Sequence, residues 1–347
     1  MMLRSRVVTG SRGTRRRRGE MQSLYVVGGQ QREGRPLLAT SSWYDYHKGL
    51  VIKLDLETNE VKTCLEYVSP PDVRAEGDPP ILFKCASLDD GLLYVCTHSE
   101  ILIFEVPTFE RVGYITLPCF NDLHHVRPTP EGTLVVANTG MDSVIELTRD
   151  GRVLREWAVL GGDPWARFAR EIDYRKVAST KPHASHPNYT FFLDGQLWVS
   201  RFEQKDAISL TGPQRRIDIG VERIHDGVVR GDYIYFSSVK GDVVIANIWT
   251  LKVEQIVALP RFHTEGTLLG WCRGLMVDDD DNVWVGFSHI RPTKFRENIG
   301  WIAHGFRRGM PSNVACYDLA KERCVRQIDV ESHGLDAVFS IFPGAAT

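Results

Sequence analysis

Cysteine is sparse in this sequence, and none of it is spaced like a structural metal site. The chain has seven cysteines, an odd number, and no CxxC motif. This pattern argues against a disulfide framework and against a zinc knuckle. It predicts a reducing, cytoplasmic location.

Long hydrophobic runs are also missing. No stretch of about eighteen apolar residues occurs, so the sequence contains no candidate membrane-spanning helix. The N-terminus also lacks the apolar segment of a secretory signal.

Acidic residues are absent from the first eighteen positions, which hold seven arginines. Without these arginines the rest of the chain would carry a net charge of −9 instead of −2, so we expect the folded body not to bind nucleic acid. We expect residues 1–21 to form a disordered extension, with Met21 as an alternative start, and residues 22–347 to form one domain. A transit peptide and a nucleic-acid or membrane tail remain open for the extension.

Helical periodicity is nearly absent, and only residues 163–176 resemble a helix. Short alternating apolar runs are instead separated by Gly, Asp and Asn turns, which is typical of a sandwich, a barrel or a propeller. Residues 124–157 read as four antiparallel strands. Four strands in about 36 residues is the size of one propeller blade.

The same four-strand unit recurs along the chain and predicts an all-β, six-bladed β-propeller, with seven blades remaining possible. The six copies are residues 24–67, 83–118, 124–157, 183–220, 225–260 and 271–330. We expect the C-terminal strand at 335–342 to pair with the first blade and close the ring. Whether that strand or residues 24–27 is innermost stays open.

One segment carries a family resemblance. Residues 136–145, VANTGMDSVI, look like the core of an NHL repeat, and the turn and strand from Gly274 onward are similar. The chain from Leu24 resembles the six-bladed propellers of the NHL, SMP-30/gluconolactonase and strictosidine-synthase-like superfamily. The resemblance implies the architecture, but these folds include hydrolases, lyases, condensing enzymes and scaffolds, so it leaves the function open.

Histidine is the residue that stands out. The chain has eleven histidines, and four of them open different repeats at matching positions: His124, His183, His225 and His333. Matching positions in a closed ring of blades converge on its axis, and neutral imidazole is a common metal ligand. The sequence therefore predicts a divalent transition metal, Fe, Zn or Cu, held by these four side chains. A register shift of one residue would replace His124 by His125.

The predicted histidine site resembles known centres. Three histidines would be similar to the zinc centre of the peptidylglycine amidating lyases, and four resemble the iron centre of carotenoid-cleaving dioxygenases. The oxygen cage of the gluconolactonases has no obvious counterpart here.

Further residues near the predicted rim are candidates for catalysis or substrate binding. Asp226 and His186 would move a proton and Arg273 would bind an anionic group. Asp226 could instead be a turn residue, and Arg273 could pair with a nearby glutamate. On an extended strand, the rings of His183 and His186 would point to opposite faces. The predicted substrate-binding residues are His125, His289, Arg291 and Tyr44.

Together these features predict a metal-dependent lyase, hydrolase or oxygenase that acts on a small anionic organic molecule at the top of the central channel. Two alternatives stay open. One is a non-catalytic propeller that presents its loops to a protein partner, and the other is a metal-free transferase that uses a histidine. The sequence does not predict an oligomeric state.

Overall fold

The fold is an all-β propeller of six blades, as predicted. The computed structural model describes residues 21–32, 46–77, 79–289 and 309–344. Within these ranges twenty-four strands form six four-stranded antiparallel sheets. The strands are β1 (Ser23–Gln31), β2 (Tyr46–Asp55), β3 (Val61–Tyr67), β4 (Ser87–Asp89), β5 (Leu92–Cys96), β6 (Ile101–Glu105), β7 (Glu110–Ile115), β8 (Leu123–Pro128), β9 (Leu134–Asn138), β10 (Ser143–Leu147), β11 (Val153–Ala158), β12 (Pro187–Leu193), β13 (Gln196–Arg201), β14 (Asp206–Ser209), β15 (Arg216–Asp218), β16 (Ile224–Arg230), β17 (Tyr233–Ser238), β18 (Asp242–Asn247), β19 (Val253–Ala258), β20 (Trp271–Val277), β21 (Val283–Ser288), β22 (Asn313–Asp318), β23 (Arg323–Asp329) and β24 (Ala337–Pro343).

Blade one is built from both ends of the chain. Its strand order is β24-β1-β2-β3, and the other five blades follow in chain order, four strands each. Around the axis β4 contacts β8, β8 contacts β12, β12 contacts β16, β16 contacts β20 and β20 contacts β24. These six are therefore the inner strands, and the C-terminal strand is the innermost strand of blade one.

Tight turns join the strands within a blade. Asp90 and Gly91 both have positive φ, at 46° and 73°, and so do Asp194 and Gly195, at 52° and 68°. Two consecutive left-handed residues make the two-residue turn whose twist matches an antiparallel hairpin, and Asp-Gly is a preferred pair for it. These sequence pairs therefore fix the hairpins that open blades two and four.

The ring closes where β24 pairs antiparallel with β1, as predicted, although β24 begins at Ala337. A Cβ on Gly28 would overlap the carbonyl oxygen of Ala337, so only glycine permits this approach. The Ser340 hydroxyl accepts the N–H of Ala86 at 2.9 Å, which ties β24 to blade two.

The core lies between neighbouring blades. Between blades two and three, for example, Tyr94 and Ile103 pack with Leu123 and Val136. Full burial of a large apolar side chain contributes roughly 1.5–3 kcal/mol, so these interblade layers hold the ring together.

The described helices are short, and the prediction of a helix at 163–176 is wrong. The segment forms successive turns that are closed by hydrogen bonds between residues i and i+3. The Ala166 N–H bonds to Asp163 O, and the Phe168 N–H bonds to Trp165 O. The segment ends in the 3-10 helix Tyr174–Lys176. The Tyr174 N–H donates to Pro118 O, so the chain is held against blade two instead of coiling on itself. None of the helices in the described part of the chain has the length and hydrophobicity to cross a bilayer.

Candidate functional site

The candidate site is centred on the half-buried Asp122, beside the start of the inner strand of blade three. Asp122 lies in a left-handed turn (φ 50°) just before the inner strand β8. Its Oδ1 is 3.5 Å from His124 Nε2 and 3.9 Å from His98 Nδ1, and its Oδ2 is 4.0 Å from His183 Nε2. We call the following residues the histidine–aspartate cluster: Lys84, His98, Asp122, His124, His183 and His186.

Lys84 supplies the positive charge of the cluster. Its ammonium contacts Asp122 Oδ1, and the two side chains are only 5% and 16% exposed. Burial alone would raise the pKa of Asp122, but the neighbouring Lys84 ammonium outweighs burial and holds the pKa well below its usual range. The carboxylate is therefore ionised at neutral pH.

The histidines around Asp122 are neutral. Burial, together with the Lys84 charge, lowers the pKa of both His98 and His124 to about 4. Burial also lowers the pKa of His183 and, further, that of His186. Near pH 7 the cluster therefore offers imidazole lone pairs beside one ion pair.

The hydrogen bonds of Asn188 fix which nitrogen of His124 faces the site. The Asn188 Nδ2 amide donates to Ile224 O at 2.7 Å, so its Oδ1 accepts the Nδ1–H of His124 at 2.8 Å. In the neutral ring, Nε2 then carries the lone pair. That lone pair is the one near Asp122.

His183 and His186 meet, and the expectation that their rings point to opposite faces is wrong. The strand β12 begins only at Pro187, and His186 has a left-handed backbone (φ 57°), so the segment is a turn. The Thr180 hydroxyl donates to Gly140 O at 2.6 Å and faces His183 Nε2 at 3.4 Å. His183 Nδ1 consequently accepts the Nδ1–H of His186, at 3.0 Å.

A second aspartate holds this turn in place. Asp142 accepts the backbone N–H groups of Ala184 at 2.7 Å, Ser185 at 2.9 Å and His186 at 2.8 Å. Arg167, from the crossing between blades three and four, donates to the same carboxylate at 2.8 Å. Asp142 therefore joins blade three, the crossing and the histidine turn.

His225 and Asp226 lie beside the cluster on β16, in blade five. The Phe202 ring lies 4.9 Å from that of His186 and 5.7 Å from that of His225, measured between centroids. His225 is buried, and its Nε2 has no hydrogen-bond partner among the residues described. Burial also raises the pKa of Asp226 to about 6, against hydrogen bonds from Ser237 and two backbone amides.

Arg273 is the buried cation of blade six. Its guanidinium lies 4.9 Å from the Phe339 ring centroid, and its charge, after burial, is the next largest cause of the low pKa of His225. The alternative was an ion pair of Arg273 with a nearby glutamate, but Glu222 pairs with Lys205 and Lys240. Arg273 lies near the cluster, and its anion-binding role stays a prediction.

The other predicted site residues lie elsewhere. His333 was predicted to open an inner strand, but it lies in the 3-10 helix Glu331–His333, is exposed, and precedes β24 by four residues. His125 is fully buried, with Nε2 at 3.1 Å from Ser87 Oγ and Nδ1 accepting the N–H of Thr190 at 3.1 Å, so it is bonded within the core. His289 pairs with Glu331 at 3.0 Å. Tyr44 and Arg291 fall outside the described residues.

The structure brings together part of the predicted metal site. His124 and His183 share Asp122, and His225 is linked to them through Phe202 and His186, but His333 is not. Across 21–32, 46–77, 79–289 and 309–344, no group of three or more His, Cys, Asp or Glu side chains is arranged to hold a metal ion. The metal remains a prediction, and the arrangement of the described residues gives it no support.

Four residues of the site were missed from the sequence: Lys84, Asp122, His98 and Asp142. The first two carried a usable signal. Lys84 follows Phe83, which matches the inner-strand starts of the other repeats, and Asp122 precedes His124 by two residues. Asp142 lies in the turn of the NHL-like segment, where a structural role is the ordinary expectation.

Comparison with known proteins agrees with the six-bladed architecture. A protein of unknown function from Bacteroides caccae superposes with a TM-score of 0.60 at 13% identity, over 94% of this chain and 100% of that one. Virginiamycin B lyase from Staphylococcus aureus gives a TM-score of 0.47 at 12% identity, over 88% of this chain and 89% of its own. A luciferin-regenerating enzyme gives 0.48 at 12% identity, over 71% and 76%.

The likeness at a TM-score of 0.60 shows the fold alone, and the strand order identifies that fold as a six-bladed β-propeller. No protein-family model matches the sequence. No curated protein matches it either. Membership of the NHL or SMP-30/gluconolactonase families stays a prediction.

Proposed function

We propose that the chain is an enzyme that uses the neutral histidines of the cluster for proton transfer, in a lyase or hydrolase reaction on a small anionic organic molecule. The observation that carries the proposal is the convergence of three imidazole nitrogens, all with lowered pKa, on one ionised carboxylate. Clusters of groups with perturbed pKa values are typical of functional sites.

His124 is the proposed general base. Its Nδ1–H is held by Asn188, so a proton taken from the substrate enters at Nε2. The imidazolium formed in this way lies 3.5 Å from Asp122 Oδ1, and the carboxylate stabilises the new charge.

The substrate is proposed to be anionic because two buried cations, Lys84 and Arg273, lie near the cluster. Asp122 compensates Lys84, whereas Asp226, with its pKa raised to about 6, compensates Arg273 only in part below neutral pH. A substrate carboxylate or developing enolate would gain from this field. This is the anion-binding role predicted for Arg273.

The test is proton exchange and turnover followed by proton NMR in D₂O. A panel of small hydroxy acids, lactones and carboxylic esters is incubated with the protein, and loss of C–H signals next to the carbonyl is measured. We expect His124→Asn to lower the rate on any responsive compound by roughly 10²–10⁴-fold, the usual contribution of a positioned base.

His263→Asn is the matched control. His263 is a partly buried histidine in the crossing between blades five and six, apart from the cluster, and it bonds to Tyr317 OH at 2.8 Å. The proposal fails if no compound is bound or altered, or if His124→Asn and His263→Asn keep equal rates.

The metal-dependent alternative rests on the buried Nε2 of His225, which no described residue satisfies. Metal analysis of tag-free protein decides it. Less than about a tenth of an equivalent of any transition metal counts against it, since a working metal site is filled close to stoichiometry.

A further inference from the structure

We propose that Lys84 is the resident cation of the histidine–aspartate cluster: its ammonium takes the place beside Asp122 that a divalent metal would otherwise occupy. The inference concerns the same cluster as the proposed function but does not require the cluster to be catalytic. It explains why a site with several imidazoles and a carboxylate lacks the geometry of a metal centre.

The spacing of the cluster is close to that of a metal ligand set. Two ligand atoms of a tetrahedral zinc site, each about 2.1 Å from the metal, are about 3.4 Å apart. His124 Nε2 and Asp122 Oδ1 are 3.5 Å apart, which meets this value. His98 and His183 are wider, at 3.9 and 4.0 Å from the carboxylate oxygens.

Lys84 contacts the oxygen on which two of these histidines converge. His98, His124 and Lys84 all face Asp122 Oδ1. A metal bound through that oxygen would have to displace the ammonium. The displaced charge would remain buried next to a dication, which is unfavourable.

The backbone prevents Lys84 from leaving. The Lys84 N–H donates to Cys96 O at 2.9 Å within blade two, and the next residue, Cys85, donates to His124 O at 3.0 Å in blade three. The side chain is only 5% exposed, so its ammonium is largely withdrawn from solvent. Lys84 is therefore a fixed part of the site.

Without the ammonium, the remaining groups form a plausible transition-metal set. A carboxylate and three neutral imidazoles suit Zn, Co or Ni. His98 and His183 would have to move closer, and His183 would have to give up the Nε2 proton that faces Thr180, before their nitrogens could bind an ion. Removal of the Lys84 charge should consequently create metal affinity that the wild-type protein lacks.

The experiment is a titration of tag-free protein with Co²⁺, read by its visible absorption. Wild-type protein and Lys84→Arg, which keeps the charge, are compared with Lys84→Met and the polar Lys84→Gln. Circular dichroism checks that each variant is folded. His124→Asn placed in the Lys84→Met background shows whether any bound ion belongs to the cluster.

We expect Lys84→Met or Lys84→Gln to bind about one equivalent of Co²⁺, with loss of that binding on adding His124→Asn, because a structural metal site is filled stoichiometrically. Wild-type protein and Lys84→Arg should show no absorption that depends on His124. A wild-type site that binds Co²⁺ and loses it in His124→Asn overturns the inference, and so does a folded Lys84→Met or Lys84→Gln protein that binds none.

If neither uncharged variant folds, the wild-type titration is the test. The inference predicts that wild-type protein binds no Co²⁺ in a way that depends on His124. Failure of the NMR turnover test would leave these outcomes unchanged, so the two proposals are separable.

Discussion

At the residue scale, two adjacent histidines have different environments. His124 bonds through one nitrogen and directs the other into the cluster, whereas His125 is bonded through both. The His125 ring also stacks on Tyr189, with centroids 3.7 Å apart. The strand β8 has a bulge between Leu123 and His125, so regular alternation does not set these two side chains, and one serves the site while the other serves the core.

This difference predicts unequal costs for the same substitution. His125→Asn should lower the free energy of unfolding by about 2–4 kcal/mol, because it removes a packed ring and leaves Ser87 and Thr190 without their partner. His124→Asn should cost less, about 1 kcal/mol, because it loses one neutral hydrogen bond. Urea unfolding at pH 7.5 measures both, and equal or reversed costs would contradict the assignment.

The sequence predicted the histidines of the site better than it predicted the charged residues that contact them. His124, His183 and His225 were identified from repeat-equivalent positions and His186 as a separate candidate for proton transfer, and the structure places them near one another. Asp122 and Lys84 could not be paired in advance, since they are 38 positions apart and belong to different blades. His333 was misplaced because a short 3-10 helix, and not a strand, follows β23.

At the element scale, the turn at residues 183–186 depends on a side chain from another blade. Three successive backbone N–H groups point at the Asp142 carboxylate, and no repeat pattern in the sequence signals such an arrangement. Extended geometry was predicted there because the neighbouring residues alternate like a strand. Tertiary hydrogen bonds decided the conformation instead.

Replacement of Asp142 should release this turn. We expect Asp142→Ala to lower stability by roughly 2–4 kcal/mol, because it leaves three N–H groups and Arg167 without their acceptor. Amide hydrogen exchange at Ala184, Ser185 and His186 should accelerate, while exchange in blade six stays unchanged.

Asp142→Asn is the conservative control. Asparagine tolerates the left-handed backbone at this position (φ 49°) and keeps one acceptor oxygen, so it should retain part of the protection. Unchanged exchange in Asp142→Ala would rule out the anchoring role.

At the scale of the whole molecule, the buried histidines make stability depend on pH. The pKa values of His98 and His124 are lowered to about 4, and those of His125, His186 and His225 are also well below normal, in each case chiefly by burial. The unfolded chain therefore binds more protons than the folded one below about pH 6.5. Asp226, with its pKa raised to about 6, acts in the opposite direction.

We consequently expect full stability above about pH 6.5 and a progressive loss toward pH 4. Each histidine contributes a slope of up to about 1.4 kcal/mol per pH unit, and Asp226 offsets part of the total. Urea unfolding at pH 7.5, 6.0 and 5.0 measures the slope, and His125→Asn should reduce it by about one proton. Stability that is constant or rises over this range would contradict the assignment of neutral buried histidines.

The architecture as a whole was predictable because it repeats. Short apolar strands separated by turns such as Asp90–Gly91 and Asp194–Gly195 recur along the chain, so errors in one copy are corrected by the others. The identity of the innermost strand of blade one was not predictable, because both β1 and β24 have the required pattern. Only their pairing in the closed ring distinguishes them.

The pairing of β24 with β1 also has a consequence for synthesis. At translation rates of about 5–20 residues per second, β24 is made on the order of 15 to 60 s after β1. During that interval β1 has an unpaired inner edge, which is a template for strand addition by other nascent chains. The residues of the histidine–aspartate cluster are all made earlier than β24. Contacts between nascent chains on crowded polysomes should therefore disturb the pairing of β1 with β24 more than they disturb the cluster.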